Sequence, residues 1–136
     1  MANYHKPLPK VNEDTQGFWT GCKAHELRFQ KCSECGHIRW PPAVLCPECY
    51  SRNTSWIVSS GRGRIYSYVT YHVVFHAGFK DDVPYVVADV ELEEGPRIVT
   101  NIVGCNPDEV SIDMHVDLTW DDITDDFSLP KFKPIL

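Results

Sequence analysis

Four cysteines carry the clearest chemical signal in this sequence. They form two C-x-x-C pairs, Cys32/Cys35 and Cys46/Cys49, with ten residues between the pairs. Each pair can place two sulfur atoms on one side of a tight turn, and two facing turns make a tetrahedral site of four thiolates. Such a site suits Zn²⁺ or a single iron ion, and evenly paired turns favour one ion over an iron–sulfur cluster. We predict that these side chains bind a structural zinc ion.

A pair of disulfide bonds is the alternative use of four cysteines. The sequence has no apolar run near its N-terminus that would indicate secretion, and thiols of cytosolic proteins stay reduced. These observations favour a metal site in a cytoplasmic protein. Four protein sulfurs leave no open position on the metal for water or substrate, so the predicted role of the ion is structural.

The cysteine turns need a hairpin to hold them. We predict a strand from Glu26 to Gln30 before the first turn and a return strand from Ile38 to Trp40 after it. This hairpin is too small to bury a core, so metal binding would supply most of its folding free energy, on the order of 10 kcal/mol. Residues 1–13 are predicted to form a polar arm before it.

A short helix is predicted to begin at Asp14 or Thr15. Its apolar side carries Phe18, Trp19 and Cys22. Because a helix of this length is not stable alone, this face must dock on the hairpin, on the next domain or on another protein. We predict that Phe18, Trp19 and Trp40, together with exposed barrel edges, form a docking surface for a partner.

The second half of the chain alternates between β-branched or aromatic residues and polar ones. Strands are predicted at residues 64–74, 84–92, 97–103 and 116–120, with a fifth at 127–132. Five short strands joined by turns are typical of a small closed barrel. The chain is therefore predicted to be mainly β, with an arm and helix at 1–25, a zinc ribbon at 26–58 and a barrel at 59–136.

Length and charge limit the choice of function. The 136 residues suit one domain, or a small domain with a satellite. No apolar stretch approaches the roughly 18 residues of a membrane span, so we expect a soluble protein without a membrane partner. The net charge of −6 is divided into +4 over residues 1–64 and −10 over residues 65–136. An acidic barrel repels phosphates and disfavours nucleic-acid binding.

Several motifs resemble those of a known family of zinc-ribbon and OB-fold proteins. They are F-W-x-G from residue 18, F-Q-K-C-S-E-C-G from 29, P-P-A-V-L-C-P-E-C from 41, S-G-R-G-R-I-Y-S-Y from 60, V-P-Y-V-V-A-D-V-E-L-E-E-G-P-R from 83 and L-P-K-F from 129. The resemblance covers about residues 18–134. It implies a rubredoxin-like zinc ribbon joined to a C-terminal, five-stranded OB-fold barrel.

The resemblance also implies a role beside coenzyme A chemistry. Members of this family are non-catalytic partners of thiolase-like enzymes or of hot-dog-fold acyl-CoA hydratases, with which they form hetero-oligomers. The chain is similar to the zinc-finger subunit of a thiolase that cleaves 2-benzoylsuccinyl-CoA in the degradation of aromatic compounds. The implied function is a zinc-binding subunit of a thiolase complex that helps to form the CoA-ester site, with a hydratase partner as the alternative.

Two groups of side chains are candidates for contact with an acyl-CoA. Arg39 and Trp40 are adjacent, so the guanidinium could bind the CoA 3′-phosphate while the indole stacks on adenine. Phe75, His76 and Phe79 follow the first barrel strand in a segment that contains glycine, and they could project into the substrate tunnel of a partner. The alternatives are a solvated or ion-paired arginine and an ordinary surface histidine.

Three other functions are open from the residues alone. Cys22 and Cys105 lie outside the predicted metal site, and burial is a simpler role for both than nucleophilic catalysis. Single-stranded nucleic acid also binds to zinc ribbons and OB-folds, and Tyr66, Tyr68 and Tyr71 could supply stacking rings, but a basic groove is missing. A rubredoxin-like electron carrier would bind iron and be red.

Overall fold

The computed structural model describes residues 4–135, so the first three residues of the predicted arm and the last residue of the predicted barrel lie outside the described residues. The described elements are α1 (Gln16–Lys23), β1 (Arg28–Cys32), β2 (Ile38–Arg39), β3 (Thr54–Val58), β4 (Arg62–Tyr71), β5 (Tyr85–Leu92), β6 (Arg97–Ile102), β7 (His115–Asp122) and β8 (Ser128–Pro134), with short 3-10 turns at Ala77–Phe79 and Pro107–Glu109. The mainly β fold is confirmed. None of the helices described here is long and apolar enough to cross a membrane.

The first three strands form an antiparallel sheet in the order β2-β1-β3. In the central strand, Gln30 is paired with Arg39 of β2 on one side and with Trp56 of β3 on the other. β3 is not predicted from the sequence, because Thr54 and Ser55 weaken its apolar alternation. The strand forms because all five of its residues pair with β1.

The last five strands form a closed barrel in the order β4-β5-β6-β8-β7, as the sequence predicts. β4 pairs with β7 to close the barrel, and β8 is parallel to β6 and antiparallel to β7. Ile65, Val90, Val116 and Phe132 are fully buried. This core gives the barrel its own hydrophobic stabilisation. The predicted domain boundaries at 25/26 and 58/59 fall between the elements and stay predictions.

The aromatic side of α1 connects the ribbon to the barrel. The Phe18 ring lies 4.4 Å from that of Trp40 and 5.0 Å from that of Trp19, and the Trp19 ring lies 5.8 Å from that of Phe127. Phe18 is only 3% exposed, so the prediction that it docks a partner is wrong. The helix satisfies its apolar face within the chain because these aromatic neighbours cover it.

A carboxylate holds the chain where the ribbon meets the barrel. Glu94 accepts hydrogen bonds from Ser59 Oγ at 2.6 Å and from Ser60 N at 2.9 Å. Gly61 follows with φ of +78°, and a Cβ at Gly61 would lie 2.8 Å from Cβ of Leu118, so a larger residue does not fit. Burial alone would raise the pKa of Glu94, but the hydrogen bonds from the two serines lower it overall.

The lowered pKa of Glu94 gives a pH-dependent prediction. We expect Glu94→Gln to lower the free energy of unfolding by about 1 kcal/mol near pH 7, since charge-assisted hydrogen bonds are lost at a partly exposed site. A carboxyl with a lowered native pKa stabilises the fold above its unfolded pKa, and this contribution is lost as the pH falls through the native pKa. Urea denaturation near pH 7 and near pH 3 measures the difference, which should shrink in acid. Glu13→Gln, at an exposed position, is the control. An equal loss at both pH values would contradict this account.

Candidate metal centre and exposed loop

The four predicted cysteine ligands come together in the ribbon. Their Sγ atoms all lie within 4.8 Å of one another. The Sγ atoms of Cys32 and Cys49 are 3.5 Å apart, and those of Cys35 and Cys46 are 3.6 Å apart. Sulfurs placed about 2.3 Å from a tetrahedral zinc ion are about 3.8 Å from one another. The observed spacing therefore fits zinc with only small adjustments.

The two cysteine turns are built alike. Gly36 N donates to Cys32 O at 3.0 Å, and Tyr50 N donates to Cys46 O at 2.9 Å. Gly36 and Tyr50 have φ of +80° and +62°, so the chain reverses through the left-handed region in both turns. Glycine adopts this conformation freely, whereas tyrosine does so at a steric cost. The second turn therefore stores backbone strain next to the metal site.

Backbone N–H groups around the sulfurs favour thiolates. A hydrogen bond from the backbone N–H of Cys35 is the main reason that the pKa of Cys32 is lowered to about 6. For Cys46, burial would raise the pKa, but the N–H groups of Cys49 and Glu48 lower it overall. Cys35 and Cys49 differ: the backbone N–H groups of His37 and Ser51 would lower their pKa values, but burial and the neighbouring sulfurs raise both, that of Cys49 to about 12. The thiolate is the form that binds metal, so Zn²⁺ binding would release protons from these two thiols.

The two remaining cysteines are not arranged for catalysis. Cys22 is fully buried, and burial raises the pKa of its thiol to about 12. Cys105 is half-buried, and both burial and the carboxylate of Glu109 raise the pKa of its thiol. Reactive cysteines need a thiolate, which both environments disfavour. The packing roles predicted for these two residues agree with their surroundings.

Arg39 and Trp40 are neighbours whose side chains make internal contacts. Arg39 is 5% exposed, and its Nη2 donates to Ala43 O and to Thr54 Oγ1, each at 2.8 Å. Trp40 is half-buried and packs on Phe18. The role predicted for Arg39 and Trp40 at a CoA ligand stays a prediction.

An exposed apolar tip lies in the loop between β4 and β5. Val73 is 58% exposed, Val74 is 42% exposed and Phe75 is 80% exposed. We call residues 73–75 the loop tip. Phe75 was predicted as a contact residue from the sequence, whereas Val73 and Val74 were not, although the run V-V-F is a signal for an exposed apolar tip. Three adjacent exposed apolar side chains favour contact with another molecule.

His76 and Phe79 lie in the same loop but have local partners. His76 Nδ1 accepts a hydrogen bond from Gly78 N at 2.9 Å, which caps the short 3-10 turn. Phe79 stacks on Tyr85 of β5, with ring centres 5.3 Å apart. These contacts fix the base of the loop, so Phe75 is the candidate side chain that projects furthest into solvent.

The first described residues of the arm lie beside this loop. Lys6 forms an ion pair with Asp82, and its Nζ lies 4.8 Å from the centre of the Phe79 ring. These groups line a cavity of about 410 Å³ that also contains an ion pair of 2.6 Å between Lys131 and Asp121. Each lysine is therefore neutralised by an aspartate, which leaves little positive charge for a phosphate.

The fold and the site define a class of protein, a structural zinc ribbon joined to an OB-fold barrel. Family models match both parts: the ChsH2 rubredoxin-like zinc ribbon domain over residues 19–55 and the ChsH2 C-terminal OB-fold domain over residues 56–121. A DUF35 domain-containing scaffold protein of Methanothermobacter thermautotrophicus is 40% identical over 97 residues, which cover 71% of this chain and 72% of that protein. The chain belongs to the DUF35 family, and the resemblance seen in its motifs is confirmed.

Other relatives are named as parts of acyl-CoA enzymes. A probable enoyl-CoA hydratase alpha subunit of Thermomonospora curvata is 40% identical over 95% of this chain, and the chain spans only 40% of its length. Benzoylsuccinyl-CoA thiolase subunit BbsA of Thauera aromatica is 29% identical over 76% of this chain and 69% of that subunit. A solved Ltp2-ChsH2(DUF35) aldolase contains a chain that is 39% identical, with a TM-score of 0.89, covering 95% of this chain and all of that one.

Proposed function

We propose that this chain is a non-catalytic scaffold subunit of an acyl-CoA-processing complex and that its catalytic partner is a thiolase. The observation that carries the proposal is family membership, because relatives are named as scaffold proteins and as subunits of acyl-CoA enzymes. The thiols of Cys22 and Cys105 support a non-catalytic role, since burial raises the pKa of both. The proposed reaction of the complex is thiolytic cleavage of a 3-oxoacyl-CoA, with 2-benzoylsuccinyl-CoA as one candidate.

A hydratase partner is the second candidate. It is favoured by the hydratase alpha subunit that is 40% identical to this chain. This chain would serve a thiolase partner and a hydratase partner in the same way. A bound zinc ion would cross-link the two cysteine turns, and the aromatic contacts of Phe18 would join the stiffened ribbon to the barrel. The chain would then present rigid surfaces to the partner.

We assign the partner contact to the loop tip, residues 73–75. Phe75 is 80% exposed, and large aromatic side chains that enter a partner pocket dominate many protein interfaces. Arg39 and Trp40 stay candidates for contact with the phosphate and adenine of CoA. Arg39 could reach a phosphate only after breaking its hydrogen bonds to Ala43 and Thr54. Arg39 is therefore a weaker candidate for ligand contact than Trp40.

The tyrosine rings that were predicted to stack on nucleic-acid bases make contacts that disfavour single-stranded nucleic acid as a ligand. Tyr66 is 49% exposed, but the Arg97 guanidinium 4.2 Å from its ring centre also lies 3.8 Å from the carboxylate of Asp89, and Tyr71 stacks on Tyr85. Single-strand grooves need exposed rings beside unpaired basic side chains. A titration with single-stranded DNA at low salt should give no binding in the micromolar range, and salt-sensitive micromolar binding would revive this function.

Co-expression tests the proposal. The chain is produced together with a thiolase and, separately, with an acyl-CoA hydratase from the same organism, and native mass spectrometry measures the masses of the purified assemblies. A stable hetero-oligomer with the thiolase is expected. A lone chain that cleaves acyl-CoA thioesters without a partner would contradict the proposal, and assembly with the hydratase alone would select the second candidate.

The loop tip gives a mutational prediction for that complex. We expect Phe75→Ala to weaken assembly about tenfold or more, since a buried aromatic anchor contributes more than about 1 kcal/mol to binding. The thermal stability of the isolated chain should not change, because the ring is already in solvent. Val99→Ala, at a barrel residue that is 70% exposed, is the matched control. Unchanged affinity in the Phe75 variant would remove the loop tip from the interface.

A further inference from the structure

Two polar side chains are buried next to each other in the ribbon. Gln30 and Arg39 are register partners across β1 and β2, and they are 7% and 5% exposed. Among residues 4–135, five polar side chains are buried, and of these Arg39 alone carries a charge. Burial of a polar or charged group is unfavourable unless hydrogen bonds or an opposite charge compensate for it. The position of this pair therefore needs a physical reason.

Both side chains bind the backbone of the same residue. Gln30 Oε1 accepts a hydrogen bond from Ala43 N at 2.8 Å, and Arg39 Nη2 donates to Ala43 O at 2.8 Å. The peptide groups on both sides of Ala43 are thus held by the sheet. Ala43 lies in the segment 41–45, which has neither helix nor strand and leads directly into Cys46. The pair therefore fixes a segment that has no regular hydrogen bonding of its own.

Arg39 also connects β2, which follows the first cysteine turn, to β3, which follows the second. It stands four residues after Cys35, and its Nη2 donates to Thr54 Oγ1, also at 2.8 Å. Thr54 is the register partner of Cys32. One guanidinium nitrogen therefore joins the strand that follows the first turn, the segment before the second turn and the strand after it. This connection restricts how far the two cysteine pairs can move apart.

The charge of Arg39 suits a tetrathiolate ion. Its Nε and Nη1 are buried and have no hydrogen-bond partner among residues 4–135. Cys32 follows Gln30 by two residues in β1, so its side chain is on the same face of the sheet as Gln30 and Arg39. Zn²⁺ with four thiolates has a net charge of about −2, and the buried guanidinium on the same face of the sheet carries the opposite charge.

We propose that Gln30 and Arg39 are positioning residues for the zinc centre: as the ribbon folds around the metal, they clamp Ala43 so that Cys46 and Cys49 face Cys32 and Cys35. The clamp lowers the conformational cost of closing the site, and the guanidinium favours the anionic metal–thiolate form. Residues that orient metal ligands typically change metal affinity by about 10- to 100-fold when they are replaced.

The zinc affinity of the full-length protein tests this inference. Competition with a chromophoric chelator measures affinity, and the absorption of the Co²⁺-substituted protein reports whether the sulfur geometry is tetrahedral. We expect Arg39→Met and Gln30→Leu each to weaken zinc binding about 10- to 100-fold. Arg39→Lys keeps the charge but not the planar fork, so it should lose less affinity than Arg39→Met. Arg52→Met, at an exposed position in the same ribbon, should bind zinc like the wild type.

Two results would overturn the inference. One is wild-type zinc affinity in Arg39→Met, and the other is wild-type affinity in Gln30→Leu. If Arg39→Met does not fold, Gln30→Leu decides, because it removes one hydrogen bond to Ala43 and leaves the guanidinium in place. A purely structural role would weaken zinc binding only through the stability of the ribbon and leave the absorption of the Co²⁺-saturated variant like that of the wild type, whereas a positioning role changes this absorption, so the two roles are distinguishable.

Discussion

Replacing Cys46 with serine is expected to abolish stable zinc binding and to unfold the ribbon while the barrel stays folded. Cys46 is fully buried, and its sulfur is 3.6 Å from that of Cys35. A structural zinc ion supplies roughly 10 kcal/mol of folding free energy to a small ribbon, more than its short strands can replace. The barrel buries side chains of its own, such as Ile65 and Phe132, although its core continues into Leu27 and Phe29 of the ribbon, so its signal should persist.

Three measurements test this result together. The zinc content of the purified variant should fall to near zero, limited proteolysis should cut within residues 28–58, and hydrogen exchange should remain slow in β4–β8. Removal of zinc from the wild type with a chelator should give the same pattern. Cys105→Ser is the control, because Cys105 lies outside the four-sulfur cluster. A Cys46 variant that keeps one zinc ion and a protected ribbon would contradict the structural role of the ion.

Replacing Phe18 with alanine is expected to cost about 3–5 kcal/mol of the free energy of unfolding, the usual range for a buried phenylalanine. The side chain is 3% exposed and packs on Trp40 of the ribbon, while its neighbour Trp19 reaches Phe127 of the barrel. The loss should therefore combine a cavity in the core with a weaker junction between the two parts.

Chemical denaturation measures the loss, and hydrogen exchange locates it. Exchange should accelerate most in α1 and in the ribbon strands, since these elements depend on the Phe18 contacts. Phe75→Ala removes the same ring from a side chain that is 80% exposed, and it should change stability by less than about 0.5 kcal/mol. A Phe18 variant as stable as the Phe75 variant would show that the ring does not join the two parts.

Features that depend on residues close together in the chain were predictable. A C-x-x-C pair makes its turn locally, so Cys32, Cys35, Cys46 and Cys49 were identified as ligands from their spacing. The barrel strands were predicted because apolar alternation over several residues reflects one buried face. The family resemblance rested on the same local motifs and is confirmed.

Features that depend on contacts between distant segments were not predictable. The adjacency of Arg39 and Trp40 does not reveal that the register of β2 on β1 and the segment around Ala43 bury the guanidinium, and their predicted contact with CoA stays a prediction. The apolar side of α1 indicated that something must cover it, and only the packing of Trp40 and Phe127 around the helix decided that this chain covers it itself.

The sequence by itself determined that a four-thiolate zinc site is joined to a small β-barrel, because both are encoded by short-range spacing and periodicity. The tertiary structure decided which polar and aromatic side chains support that site and which, such as Phe75, are left exposed to solvent. The physical reason is that burial is a property of the whole packed chain. A residue's type and immediate neighbours do not specify which distant segment will cover it.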